Sequence, residues 1–357
     1  MNSTPEILFE RRGAAGIITL NRPTALNAVT HDMVRALARQ LGAWQHDGAV
    51  TRVVITAAGE RAFSAGGDIR ALYELGRAGR QAEALTFWRE EYPLNAMIKR
   101  YPKPYVALID GIVMGGGVGV SVHGSHRVAG DKFLFAMPEV GIGFFPDVGG
   151  TWFLPRMPGE LGAWCALTGD RLKTADGVAA GIATHHVRSD RFSDLTDALC
   201  GNVSVDATLA AFAEPPGEGA MMARRAAIDR LFAGDTVEHI LARLDAEETH
   251  DVDGEWAAAT AAAIRAKSPT SLRVALAQVR RGRDWSFEDC MKAEYRIVSR
   301  IVYDHDFYEG VRAAIVDKDN APRWQPAALA DVGDAEVARH FAALGDDELS
   351  LPELSLR

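Results

Sequence analysis

Two carboxylates stand alone in a long apolar stretch of the chain. Between Phe133 and Phe153 (FLFAMPEVGIGFFPDVGGTWF) the only charged residues are Glu139 and Asp147, set among Phe135, Met137, Val140, Ile142, Phe144 and Phe145. A carboxyl group without polar neighbours loses solvation of its charged form. That loss raises its pKa toward the range where a proton is taken and returned near neutral pH. Glu139 and Asp147 are therefore a candidate acid/base pair. Pro138 and Pro146 precede them, so the competing reading is a pair of solvated turn residues.

Glycine supplies the second element of chemistry. Ala65-Gly66-Gly67-Asp68 and Gly115-Gly116-Gly117 each lie between a predicted strand and a predicted helix. The first N–H groups of a helix lack intrahelical acceptors and point outward. Two such turns brought together could hold one carbonyl oxygen between two donors, an oxyanion hole, where one donor is worth roughly 3 to 4 kcal/mol of barrier. The competing reading is close packing of helix on strand, or a positive-φ cap. Other chemistries fail on residue identity. No Gly-Lys-Ser/Thr follows, and G-x-G-x-x-G is broken at Val120 and Val122, which argues against phosphate-loop and dinucleotide sites. Gly119-Val120-Ser121-Val122 approaches a serine-hydrolase elbow, but His123 stands where the second glycine must be. His123 and His126, three apart, have no acidic or cysteine ligand nearby in sequence, so no metal site is expected. His185 and His186 read as edge-strand residues.

These residues need rigid elements to bring them together. Glu6 to Arg12 and Gly16 to Asn21 read as a hairpin, and Thr30 caps a helix whose Val34, Leu37, Ala38 and Leu41 share a face. Arg52 to Ala57 and Tyr105 to Ile109 are strands, separated by a helix from Ala82 to Arg100 that is disturbed at Pro93. Strand, glycine turn and helix thus occur twice, and strands joined through helices favour a parallel sheet. Beyond about Arg191 the strand signals fade. Helices fill the chain between Met222 and Tyr303, with Thr236 and Ser286 as caps, and Glu214-Pro215-Pro216-Gly217-Glu218-Gly219 is the linker candidate. The expected organisation is an α/β core over residues 1–190 followed by a mainly helical region over 191–357.

Composition narrows the classes. At 357 residues, 48% hydrophobic and 24% charged, the chain has the balance of a folded protein of two structural units, not of a disordered or disulfide-stapled one. A net charge of −9 with no long basic run argues against nucleic acid and against an anionic membrane surface as partners. Cys165, Cys200 and Cys290 lie far apart and form no C-x-x-C pair, which fits a reducing, cytoplasmic setting. Met1 to Gly16 lacks the continuous apolar region of a signal peptide, and Tyr105 to Val122 carries Asp110 and five glycines, so neither export nor a membrane span is expected.

Taken in order, Leu20-Asn21-Arg22-Pro23 with Ala25-Leu26-Asn27-Ala28, Phe63-Ser64-Ala65-Gly66-Gly67-Asp68-Ile69, Gly115-Gly116-Gly117 and Met137-Pro138-Glu139 resemble the crotonase (enoyl-CoA hydratase/isomerase) superfamily. The likeness covers roughly Glu6 to Val187. Within that superfamily the 3-hydroxyisobutyryl-CoA hydrolases are closest, through Arg89-Glu90-Glu91-Tyr92, Met114 to Gly124, Phe145 to Gly150 and Leu167-Thr168-Gly169. It continues into Asp306 to Ala313 and Asp317-Lys318-Asp319, with Pro322 and Trp324. The resemblance implies an α/β fold: a crotonase-like spiral core of ββα units with a helical C-terminal region. It also implies that the Gly67 and Gly116 N–H groups hold the thioester oxygen of an acyl-CoA, that Glu139 and Asp147 are the catalytic carboxylates, that Glu91 contacts the acyl group, and that Arg70 lies near the CoA nucleotide.

One departure separates the chemistries within the superfamily. Hydratases use two glutamates, and the first would fall at Gly119, which cannot orient or deprotonate water. What remains is hydrolysis of a short branched 3-hydroxyacyl-CoA, 3-hydroxyisobutyryl-CoA above all, as in valine breakdown. No cofactor is expected, since CoA is part of the substrate, and a homo-oligomer is possible. The alternatives are an enoyl-CoA hydratase or isomerase of unusual length and a non-catalytic acyl-CoA-binding protein, which has no use for two carboxylates in an apolar stretch.

Overall fold

The computed structural model describes residues 5–247 and 252–351; Met1 to Thr4, part of the stretch weighed for export, lie outside them. Among the described residues the strands are β1 Ile7–Arg12, β2 Ala15–Leu20, β3 Arg52–Ala57, β4 Ala62–Ser64, β5 Tyr105–Ile109, β6 Ile112–Met114, β7 His126–Ala129, β8 Leu134–Ala136, β9 Leu172–Lys173 and β10 His185–His186. They form a six-stranded sheet in the order β1-β2-β3-β5-β7-β10 and a four-stranded sheet in the order β4-β6-β8-β9. The hairpin β1/β2 and the pair β8/β9 are antiparallel, and the other pairs are parallel.

From β3 to β8 the chain alternates between the two sheets. Each pair of strands ends in a helical segment, at 69–77, 116–119 and 139–142. This is the spiral of ββα units that the resemblance implies, and it corrects the local reading of strand, turn and helix. A second, three-residue strand, β4 or β6, lies between each long strand and its glycine turn. Three residues are too few to display a period of two, so these strands read as loop.

Two helices also differ from expectation. Helix 81–99 runs unbroken through Pro93, whose missing N–H costs the helix a single bond, to the Arg89 carbonyl. The segment after the triple glycine is helical only at Gly116–Gly119, and Ser121 lies beyond it, its hydroxyl donating to the Gly117 carbonyl at 2.7 Å. His123 is buried against Phe287, while His126 on β7 meets Asp206 at 2.9 Å. The caps at Thr30, Thr236 and Ser286 form as expected, each accepting a backbone N–H three residues on.

Period-two alternation makes the large sheet a two-sided layer. Ile17, Val54, Val106 and Leu108 face Leu195, Leu199 and Leu209, so helices 192–199 and 205–212 back the sheet. Ile18, Val53, Ile55, Ala107 and Ile109 face the main core. That core also takes in Leu272 and Val279 of helix 269–282 and Ile297 and Val298 of helix 287–301. Among the described residues no strand follows β10, and the helices beyond it pack into the core that holds the glycine turns and carboxylates.

Candidate active site

Parallel pairing explains how the site assembles. β4, β6 and β8 are neighbours in the small sheet and run the same way, so whatever follows each strand emerges at the same edge. After β4 comes Ala65-Gly66-Gly67-Asp68, after β6 comes Gly115-Gly116, and after β8 comes Met137-Pro138-Glu139. Three sequence-distant motifs thus become adjacent.

The two glycine turns touch. Gly66 (φ +121) and Gly115 (φ +45) adopt backbone that other residues avoid, and a Cβ on Gly115 would come within 3.3 Å of Gly66 Cα. A Cβ on Gly116 would lie 3.1 Å from the Gly67 nitrogen and 2.9 Å from Glu91 Oε1. Among the described residues neither the Gly67 nor the Gly116 N–H has an acceptor. The first turn is braced by the segment that resembles the superfamily's opening motif. Asn27 donates to the carbonyls of Ala58 and Ala62 at 2.9 Å, Val29 N–H donates to Gly66 O at 2.8 Å, and Asp68 N–H donates to Val29 O at 2.9 Å. Arg22 meets Asp68 at 3.1 Å.

The carboxylates face these turns across a cavity of about 820 Å³, within the range of small-molecule sites. Gly67, Gly116, Glu139, Asp147, Glu91 and Arg70 all line it, so the structure brings together every residue to which the resemblance gives a role. Glu139 and Asp147 are 6% and 5% exposed, which decides against the solvated-turn reading. Glu139 Oε2 has no partner among the described residues. Burial first, and the charge of Asp147 second, hold the Glu139 carboxyl well above the ordinary range. Asp147 Oδ2 accepts the Tyr92 hydroxyl at 3.0 Å. Burial pushes Asp147 up to about 7, against hydrogen bonds from Tyr92 and Trp88 that favour its charged form. Glu91, on helix 81–99, is raised well above the usual range by burial and then by the charges of Asp147 and Glu294, and its Oε1 is unpartnered among the described residues. Arg70 sits at the rim, mostly exposed and 3.3 Å from Glu74 on its own helix.

Gly119 is closely packed. A Cβ there would meet Asn95 Nδ2 at 2.8 Å and Val148 Cβ at 2.9 Å, so the position where a hydratase glutamate would start is filled by packed side chains.

Three participants escaped the sequence reading. Lys267 and Lys318 line the cavity from the C-terminal region, Lys267 with its pKa lowered by burial. Lys267 belongs to no local pattern that marks a site, and Lys318 lies in the Asp317-Lys318-Asp319 piece of the resemblance, which carried no role for it. Glu294, fully buried, accepts the N–H groups of Gly149 and Thr151, both at 2.8 Å. A signal for it existed. Glu294 falls at helical spacing on the stripe of Phe287, Cys290, Met291, Ile297, Val298 and Ile301, where a carboxylate is out of place.

The chain belongs to the enoyl-CoA hydratase/isomerase family, whose pattern it matches over residues 15–341. Within that family it is 47% identical to the mitochondrial 3-hydroxyisobutyryl-CoA hydrolase of Danio rerio, over 97% of this chain and 92% of that protein. It is 42% identical to the protein of the same name from Homo sapiens, over 98% and 91%. Among solved structures, one described as a carnitinyl-CoA dehydratase from Mycobacterium thermoresistibile is 46% identical, with a TM-score of 0.92 over 98% of this chain and 100% of that one. One described as an enoyl-CoA hydratase from Rhodobacter sphaeroides is 41% identical, with a TM-score of 0.90 over 97% and 100%. The mitochondrial relatives overturn the cytoplasmic location expected from the sequence. Free cysteines record a compartment that does not form disulfides, and that criterion does not distinguish one such compartment from another.

Proposed function

We propose that the chain hydrolyses 3-hydroxyisobutyryl-CoA to 3-hydroxyisobutyrate and CoA, a step of valine breakdown, with the thioester seated between the glycine turns and the buried carboxylates. The observation that carries this reading is the pair of adjacent, unpartnered N–H groups of Gly67 and Gly116 opposite Glu139 and Asp147 in one cavity. The thioester oxygen accepts both N–H groups, which stabilise the negative charge that develops when the carbonyl carbon is attacked. The attacking oxygen comes from water deprotonated by a carboxylate, or from Glu139 itself through a mixed anhydride that water then opens. In either route the C–S bond breaks and a carboxyl proton passes to the departing thiolate. Glu91, kept neutral by burial, donates a hydrogen bond to the 3-hydroxyl of the acyl group. Arg70, Lys267 and Lys318 present positive charge at the cavity to the phosphates of CoA, and no further cofactor takes part.

The solved relatives described as a dehydratase and a hydratase favour a second reading, addition or removal of water at a double bond. Gly119 stands against it, because the packed space around that position leaves no place for the second carboxylate. A panel of CoA thioesters separates the two. The protein is expected to release free thiol from 3-hydroxyisobutyryl-CoA and to leave crotonyl-CoA unhydrated. Loss of the crotonyl double-bond absorbance without thiol release would sink the hydrolase reading.

A further inference from the structure

Asp147 opens a turn that the Gly150 N–H closes on the Asp147 carbonyl at 2.8 Å, a bond that leaves the outward polar groups of the turn to other elements. Val148 has φ +50 and Gly149 φ +92, two successive left-handed residues, and a β-branched side chain in that region is a genuine outlier. Such backbone persists only where its surroundings over-determine it.

Those surroundings are polar, buried and drawn from elsewhere in the chain. Glu294 uses one carboxyl oxygen for Gly149 N–H and the other for Thr151 N–H, each at 2.8 Å. His123, neutral because burial pushes it down to about 4, donates from Nε2 to the Val148 carbonyl at 2.7 Å. Gln278 donates to the carbonyl of Pro146 and, at 3.3 Å, to Thr151 Oγ1. Glu294 and Gln278 have no exposed surface and His123 very little. None of the three lines the cavity, so none touches the substrate.

We infer that Glu294 is a positioning residue for thioester hydrolysis, clamping the left-handed turn at Val148 and Gly149 so that the Asp147 carboxyl is aimed into the cavity; this rests on the hydrolase reading above. The clamp is bidentate across two N–H groups on either side of Gly150, which fixes the direction of the turn as well as its place. His123 and Gln278 hold the carbonyls of the same loop, so the loop's polar groups are satisfied from three separate elements. Tyr92, donating to Asp147 at 3.0 Å, meets the carboxyl only where this clamp leaves it.

Glu294→Gln keeps shape but turns one oxygen into an NH₂ group, which faces a backbone N–H and replaces a hydrogen bond by a donor–donor contact. The expected result is a kcat lower by about 10- to 100-fold with KM changed less than about threefold, the pattern of a misplaced catalytic group. Glu294→Asp, which retains both acceptors on a shorter arm, should recover part of the loss, and it serves as the test variant if the glutamine form does not fold. The double variant Glu294→Gln/Asp147→Asn should be no slower than Asp147→Asn alone. Wild-type kcat in either folded single variant, or losses that multiply in the double one, would overturn the role. If wild type released no thiol from any thioester, the hydrolase reading would fall by itself. The clamp would then be read from the ¹³C titration of the Asp147 carboxyl, assigned with Asp147→Asn. A shift of its midpoint in Glu294→Gln supports the clamp, and an unmoved midpoint overturns it.

Discussion

The wall of the cavity that carries Gly67 and Gly116 is backbone, and its braces come from nearby in the chain. Asn27 reaches Ala62 across 35 residues and Arg22 reaches Asp68 across 46. The wall that carries Glu139 and Asp147 is made of side chains, and its supports come from farther away: Tyr92 lies 55 residues from Asp147, and Glu294 lies 145 residues from Gly149. The first wall offers fixed dipoles at unvarying strength. The second offers groups whose charge depends on burial and on one another. Catalysis at a thioester needs both kinds, one where charge accumulates and one where protons move.

The largest expected effect is on the carboxylate wall. Glu139→Gln and Asp147→Asn preserve shape and remove the base, so each should lower kcat by about 10³-fold, within the usual range for general acid–base groups, with little change in KM. If the two act as one unit, the double variant is little worse than the poorer single one, which steady-state kinetics of the three proteins would read directly. Independent, multiplying losses would mean that this wall is two separate devices. Single turnover in ¹⁸O water adds the identity of the nucleophile: label first in the Glu139 carboxylate marks an anhydride opened at the Glu139 carbonyl, and label wholly in the product acid excludes that route.

A smaller loss is expected on the glycine wall. The backbone of Gly116 is helical, so Gly116→Ala adds no left-handed strain and its cost is steric. Its Cβ enters the space between Gly67 N and Glu91 Oε1 and crowds the thioester oxygen off its donors. A fall in kcat of about 100-fold is expected, the scale of one lost oxyanion donor. Full turnover in a folded Gly116→Ala protein would reduce this wall to close packing.

The same contrast governs what the sequence discloses. Glu139 and Asp147 are legible because a lone carboxylate among phenylalanines is anomalous whatever the fold, and both turns are legible because Gly66 and Gly115 sit where only glycine is at ease. That the two turns touch is not legible locally. It depends on β4 and β6, three residues each, pairing side by side, and three residues carry no usable periodicity. Helix 81–99 was legible in extent, but not that it presents Glu91 inward to the cavity; that face follows only from which side meets Phe144 and Asp147. Lys267 is out of reach of local reading because its value comes from where helix 269–282 packs, not from its neighbours in sequence. Glu294 lies between these cases, visible as a misfit on an apolar stripe but with no sign of the turn it holds.

The finest test of the two walls is pH. For catalysis by a carboxylate base the group must be ionised, and burial places Asp147 at about 7, so the active form dominates above that value and is depleted below it. The profile of kcat/KM, which reports the free enzyme, should therefore be level in mild alkali and fall about tenfold for each pH unit below the midpoint. Glu139 is raised by the same burial and by Asp147 itself, so the midpoint belongs to the pair and not to one residue. The glycine wall has nothing to titrate. Gly116→Ala should reproduce the wild-type profile displaced downward by a constant factor, with its midpoint unmoved. Asp147→Asn should move that limb to lower pH, because one member of the pair is gone and with it the charge that, after burial, raises Glu139. A midpoint that moves in Gly116→Ala would show that the backbone donors and the carboxylates are electrostatically one site. A midpoint that stays unmoved in Asp147→Asn would assign the titration to another member of the buried cluster, with Glu139, raised by the same burial, the next to replace.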